Sequence, residues 1–114
     1  MNLQVQLVEE ENSVQHFKII GEIDVYTAPK LKEHLAAVEK AVGMQAELDL
    51  SEVAYMDSTG LGVFVGFYKA VHATGGHVKI TGLNARLQRL FNITGLGSIM
   101  DIVTEEGEDK DATV

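Results

Sequence analysis

Apolar and polar residues alternate through LQVQLV near the start of the chain, and again through VQHFKII before that second stretch turns wholly apolar. A period of two marks a half-buried strand, so strands are predicted over residues 3–9 and 13–20, with EENS between them as a hairpin turn. The period then changes. After GEIDVYT and an Ala-Pro step, Leu31, Leu35, Val38 and Val42 recur at helical spacing; Thr27 is placed to cap that helix, and Pro29 falls in its first turn, where a missing N–H is harmless. AELDL, residues 46–50, alternates again and stops at the polar pair SE, which predicts a short third strand with Ser51 capping a turn behind it. Residues 58–74 form the next predicted helix, closed by Gly75-Gly76. HVKIT is a fourth strand, NARLQRLFNITG a helix with Leu87, Leu90 and Phe91 inward, and IMDIV a short last strand. Strands alternating with helices behind an opening hairpin imply an α/β domain with a mixed sheet of four to five strands packed with helices.

Composition narrows what such a domain does. A chain of 114 residues suits one domain, and 46% apolar content builds a core without metal or disulfide staples. With no cysteine, thiol chemistry and Cys-based metal sites are excluded. The four histidines, His16, His34, His72 and His77, lack metal-ligand spacing, so no metal and no cofactor is expected. A net charge of −8 argues against nucleic acid or an anionic membrane as partner, since phosphate binding draws on clustered Lys and Arg. Half of that charge sits in EEGEDKD, which divides the chain into a domain over residues 1–104 and a solvated acidic tail over 105–114. No secretory leader or apolar run of membrane-spanning length stands out, and the expected location is the cytoplasm.

The candidate chemistry lies in AYMDSTGLGVFVGFYKA, residues 54–70. A hydrolase elbow needs G-x-S-x-G, but here Met56 stands at the first glycine and neither His72 nor His77 is well placed to serve Ser58 as a base. A phosphate cradle is a second reading. Gly60, Gly62 and Gly66 fit neither common phosphate-binding spacing, and the nearest cation is Lys69, nearly three turns into the helix. A third reading has Asp57 or Ser58 simply capping the helix. It leaves the helix itself unexplained: Leu61, Phe64, Val65, Tyr68 and Val71 make one apolar face while Val63 and Phe67 point elsewhere, and three glycines weaken it. It also leaves Asp24 open, either as an ordinary turn acid or as a neighbour of Asp57 and Ser58 at one rim of the sheet.

GEIDVYTAP followed some thirty residues later by YMDSTGLGVFVG, together with RLQRLFNITGL, resembles the bacterial anti-sigma factor antagonists of the STAS domain family, over essentially residues 1–103. The resemblance implies a STAS-type single domain and a switch rather than an enzyme. In that family the serine matching Ser58 is phosphorylated by a partner that is both a serine kinase and an anti-sigma factor. The unphosphorylated form binds that kinase and frees the sigma factor for stress transcription, and a metal-dependent serine phosphatase reverses the modification. In the family the acid matching Asp24 helps to position the serine or the partner. The implied partner surface comprises Asp24, Tyr26, Thr27, Ala28, Asp57, Ser58, Thr59, Gly60, Leu61, Gly62 and Val63. Gly60 and Gly62 are expected to give a partner backbone close approach, and Leu61 and Val63 to supply apolar contact, so that Leu61→Asp would spare the fold and abolish binding. Thr59, the competing acceptor, is expected to turn its hydroxyl to the backbone. A ligand- or nucleotide-binding STAS module is the alternative in another class.

Overall fold

The computed structural model describes residues 3–11, 14–38 and 42–103. Five strands form one sheet in chain order: β1 (Leu3–Glu11), β2 (Val14–Ile23), β3 (Gln45–Met56), β4 (His77–Thr81) and β5 (Asp101–Val103). β1 and β2 run antiparallel, as the alternation predicts, while β2, β3, β4 and β5 are parallel neighbours. Each parallel step therefore needs a crossover, supplied by α1 (Ala28–Ala36), α2 (Ser58–His72) and α3 (Ala85–Ile93). Crossovers of one hand between successive neighbours put the helices on one face of the sheet. Burial agrees: Ala46, Leu48 and Leu50 of β3 are buried while Glu47 and Asp49 are half-exposed, and Val78 and Ile80 of β4 alternate with more exposed neighbours.

The core between sheet and helices holds Ile19, Leu48, Leu50 and Ile80 from the strands, Leu31 and Leu35 from α1, Phe64 and Val71 from α2, and Leu87 and Phe91 from α3. Phe64 and Phe91 meet as a tilted pair with ring centroids 6.4 Å apart, joining α2 to α3. The opposite face is polar. Glu47 pairs with His16 at 3.0 Å and Lys79 at 3.7 Å, and Glu52 accepts from Lys18 at 2.9 Å, which raises the lysine above its ordinary pKa.

Several elements depart from the sequence reading. β3 runs on through SEVAYM to Met56, and Ser51 lies inside the strand rather than capping a turn. Two bulges explain the misreading: between Lys18 and Ile20, and again between Gly21 and Glu22, β3 carries an extra residue against β2, so its apolar period slips from Leu50 to Val53 to Met56. α1 ends at Ala36, and Val42, expected on its apolar face, is 93% exposed beyond it. α2 ends at His72, with Gly75 at φ +79° in the turn that follows, so Gly75-Gly76 closes it as predicted. Phe67 does not point away from the core; it is 5% exposed, because α1 packs along a second side of α2. Leu90 is half-buried beside the fully inward Leu87 and Phe91. The last strand omits Ile99 and Met100. β1 runs on to Glu11, so Glu10 and Glu11 of the predicted turn EENS belong to the strand; the rest of that predicted turn, residues 12–13, and the acidic tail lie outside the described residues.

Candidate functional site at one rim of the sheet

Because β2, β3 and β4 are parallel, their strand-to-helix turns gather at one rim. Ile23 and Met56 face each other as register partners at the ends of β2 and β3, so the next residue on each strand, Asp24 and Asp57, enters its turn side by side. The Asp57 N–H donates to the Ile23 carbonyl at 3.2 Å, tying the two turns together. The two halves of the sequence motif therefore share one surface.

The first turn is closed on itself. Asp24 Oδ1 accepts from the N–H groups of Tyr26 (2.9 Å) and Thr27 (3.0 Å) and from the Thr27 hydroxyl (3.3 Å). The Thr27 N–H foremost, with that of Tyr26 and the Thr27 hydroxyl, holds the Asp24 carboxyl below the ordinary aspartate value. Thr27 is buried; its hydroxyl donates to the Glu22 carbonyl at 2.7 Å and accepts from the Asp24 N–H at 2.9 Å. It stands at the N-cap position of α1 but makes no side-chain capping bond, since its hydroxyl is committed to the turn. Tyr26, by contrast, is 76% exposed at the tip.

The second turn is open. Asp57 caps α2 through Oδ1, which accepts from Thr59 N–H at 2.9 Å and Gly60 N–H at 3.1 Å. Ser58 follows as the first helical residue, exposed, and its hydroxyl bonds to none of the described residues. Thr59 is exposed as well, and its hydroxyl bonds to none of the described residues, so it does not turn to the backbone as expected. This arrangement weakens the phosphate-cradle reading. Two of the N–H groups that would hold an anion are already taken by a carboxylate.

The expected partner residues divide by side. Tyr26, Ser58, Thr59 and Gly62 are exposed, and Asp24, Asp57 and Val63 are half-buried at the surface. Thr27, Ala28, Gly60 and Leu61 face inward. Leu61 is 5% exposed and belongs to the core, so Leu61→Asp cannot spare the fold. The clearance at Gly60 is internal: a Cβ there would lie 2.5 Å from Ile23 Cγ2 and 2.8 Å from Met56 Cγ. A Cβ at Gly62 or Gly66 would meet nothing within 4 Å. Two exposed apolar residues near the same rim escaped the sequence reading, Val25 beside Tyr26 and Tyr55, 44% exposed and register partner of Glu22. Tyr55 was hidden by the second bulge, which places it outside the simple alternation.

Among the described residues, no group of three His, Cys, Asp or Glu side chains could hold a metal, and no helix is long and apolar enough to cross a membrane. Between α1 and α2 runs a groove of about 730 Å³ that reaches Thr59 at its rim end.

Comparison with known proteins agrees with this geometry. The STAS domain profile matches residues 6–108. The anti-sigma-B factor antagonist of Bacillus subtilis (strain 168) is 50% identical over 102 residues, covering 90% of this chain and 92% of that protein. The protein of the same name from Listeria monocytogenes serovar 1/2a is 45% identical over 108 residues, 95% of each chain. The crystal structure of an anti-sigma factor antagonist from Mycobacterium paratuberculosis superposes with a TM-score of 0.72 at 27% identity, over 87% of this chain and 85% of that one. The chain belongs to the STAS domain family.

Proposed function

We propose that this STAS-family chain is an anti-sigma factor antagonist of the sigma-B type, a binding switch rather than an enzyme, set by phosphorylation of Ser58. The observation that carries the reading is the exposed Ser58 hydroxyl, bonded to none of the described residues, in a turn whose Thr59 and Gly60 N–H groups are already held by Asp57. The relatives' names support the sigma-B connection. In the cytoplasm, the unphosphorylated form binds an anti-sigma factor that is also a serine kinase, and the sigma factor goes free. The kinase moves the γ-phosphoryl group of ATP to Ser58 Oγ, the hydroxyl proton leaves, ADP remains, and the complex parts. A metal-dependent serine phosphatase hydrolyses the phosphate ester and restores the hydroxyl.

Charge and position make this an effective switch. A phosphate adds about −1.5 to −2 charge at the first residue of α2, where the helix dipole tolerates an anion. With Thr59 and Gly60 N–H held by Asp57, the phosphate stays outside, in water, beside an existing carboxylate. A partner surface shaped for a neutral hydroxyl would have to desolvate it unpaired. A penalty of about 2.7 kcal/mol weakens binding a hundredfold. No movement of the domain is required.

The test mixes the protein with its cognate anti-sigma-B factor and ADP or ATP, using wild type, Ser58→Ala and Ser58→Asp, and maps phosphate by mass spectrometry. The expected result is binding by wild type and Ser58→Ala with ADP, loss of binding by Ser58→Asp, and ATP-dependent phosphate on Ser58 alone. Phosphate on Thr59 instead, or wild-type affinity in Ser58→Asp, would overturn the mechanism.

A further inference from the structure

Gly62 and Gly66 stand in the interior of α2, where each weakens the helix by about 1 kcal/mol relative to alanine. Neither has a positive φ that would require glycine, and a Cβ at either would meet nothing. Gly60 is accounted for by Ile23 and Met56; these two are not accounted for by anything within the fold. They lie instead in the floor of the groove between α1 and α2, with Ala70 a further turn along. Gly62, Gly66 and Ala70 follow one another at intervals of four along one side of the helix, about 12 Å, and Thr59, next to Ser58, lines the groove at its rim end.

The opposite wall comes from α1, where Pro29, Leu35 and Ala36 are apolar and Lys32 supplies charge. Among the described residues no acid lines the groove. Among the described residues Lys32 enters no ion pair, although the chain as a whole carries −8. The groove is thus apolar, positively marked on one wall, and continuous with the Ser58 turn.

We propose that this groove docks an apolar segment of the anti-sigma factor kinase bearing a carboxylate, its apolar side chains against Gly62, Gly66 and Phe67 and its acid on Lys32. The inference rests on the switch reading above and extends the contact from the serine along more than two turns of α2. It assigns the glycines a role in closeness of approach and Lys32 a role in reading charge. The phosphoserine, next to Thr59 at the rim end of the groove, would then repel a segment already anchored by its own acid.

The test measures affinity for the cognate anti-sigma-B factor with ADP, together with melting temperature, for Gly66→Ala, Gly66→Leu, Lys32→Glu and the off-groove control Lys69→Glu. Gly66→Ala is expected to raise the melting temperature by about 4 °C while weakening binding several-fold. Gly66→Leu, which fills the groove, is expected to remain folded and bind at least about tenfold more weakly. Lys32→Glu should weaken binding about tenfold at low salt, an effect that shrinks as salt rises. Wild-type affinity in Gly66→Leu and Lys32→Glu, with binding still lost in Ser58→Asp, would sink the groove and leave the switch standing. Equal losses in Lys32→Glu and Lys69→Glu would also sink it, as an effect of overall charge. Absence of binding by the wild-type protein would sink both.

Discussion

Two strand-to-helix turns leave the same rim of the sheet, each opening on an aspartate, and each followed within three residues by a hydroxyl. In the first, Asp24 and Thr27 bond to one another and to the backbone, and the threonine is buried. In the second, Asp57 satisfies the backbone by itself and the hydroxyls of Ser58 and Thr59 are left over at the surface. One turn uses its hydroxyl to hold the chain; the other, held without it, has a hydroxyl to offer. The difference teaches that a hydroxyl is left at the surface when a neighbour has taken over the work of holding the turn. The Asp57 N–H to Ile23 carbonyl bond makes the closed turn a support for the open one.

The comparison can be broken most severely from below. Leu61→Asp puts a charge in the core one turn beyond Ser58, and is expected to destabilise by about 4 kcal/mol or more, enough to unfold much of the population in a circular-dichroism melt. Thr27→Val should cost about 1–3 kcal/mol by urea unfolding, because the Glu22 carbonyl and Asp24 N–H lose a buried partner. Asp57→Ala removes the cap of α2 and is expected to cost about 1 kcal/mol in the same assay. Ser58→Ala, which removes a hydroxyl that bonds nothing among the described residues, should stay within about 0.5 kcal/mol of wild type. A ranking in which Ser58→Ala equals Thr27→Val would erase the distinction between the turns.

A pH series sharpens the same point at smaller amplitude. The folded-state pKa of Asp24 is lowered, so the stability it contributes is complete above its unfolded value of about 3.9 and fades as pH falls through the lowered value. Urea midpoints of wild type and Asp24→Asn are therefore expected to differ at about pH 6 and to converge in acid. A gap that widens on acidification would contradict the carboxylate's role in the first turn.

Much of this was legible in the residues, and the failures have physical causes. The hairpin, the presence of three helices and the Gly75-Gly76 close of α2 follow from period and cap chemistry, and Asp57 can be read as a cap because acid followed by small polar residues precedes an apolar run. What sequence cannot report is the direction of an individual residue when two faces of a helix are covered. Phe67 looked misplaced until α1 was seen to pack on it, and Leu61 looked like a contact residue although it is core. Three glycines in one helix looked alike. Their neighbours separate them, Gly60 filled by Ile23 and Met56, Gly62 and Gly66 facing empty groove. The second half of β3 was lost because bulges shift its period, and the bulges arise from pairing with β2, not from β3 itself.

The central claim is that charge on Ser58 changes the surface and not the fold. Its most direct measurement takes protein quantitatively phosphorylated on Ser58 and reads, on the same sample, its melting temperature and its affinity for the anti-sigma-B factor. The account predicts a melting temperature within about 3 °C of the unmodified protein and an affinity lower by about a hundredfold or more. Unchanged affinity, or loss of binding accompanied by loss of the folded state at the temperature of the assay, would contradict it.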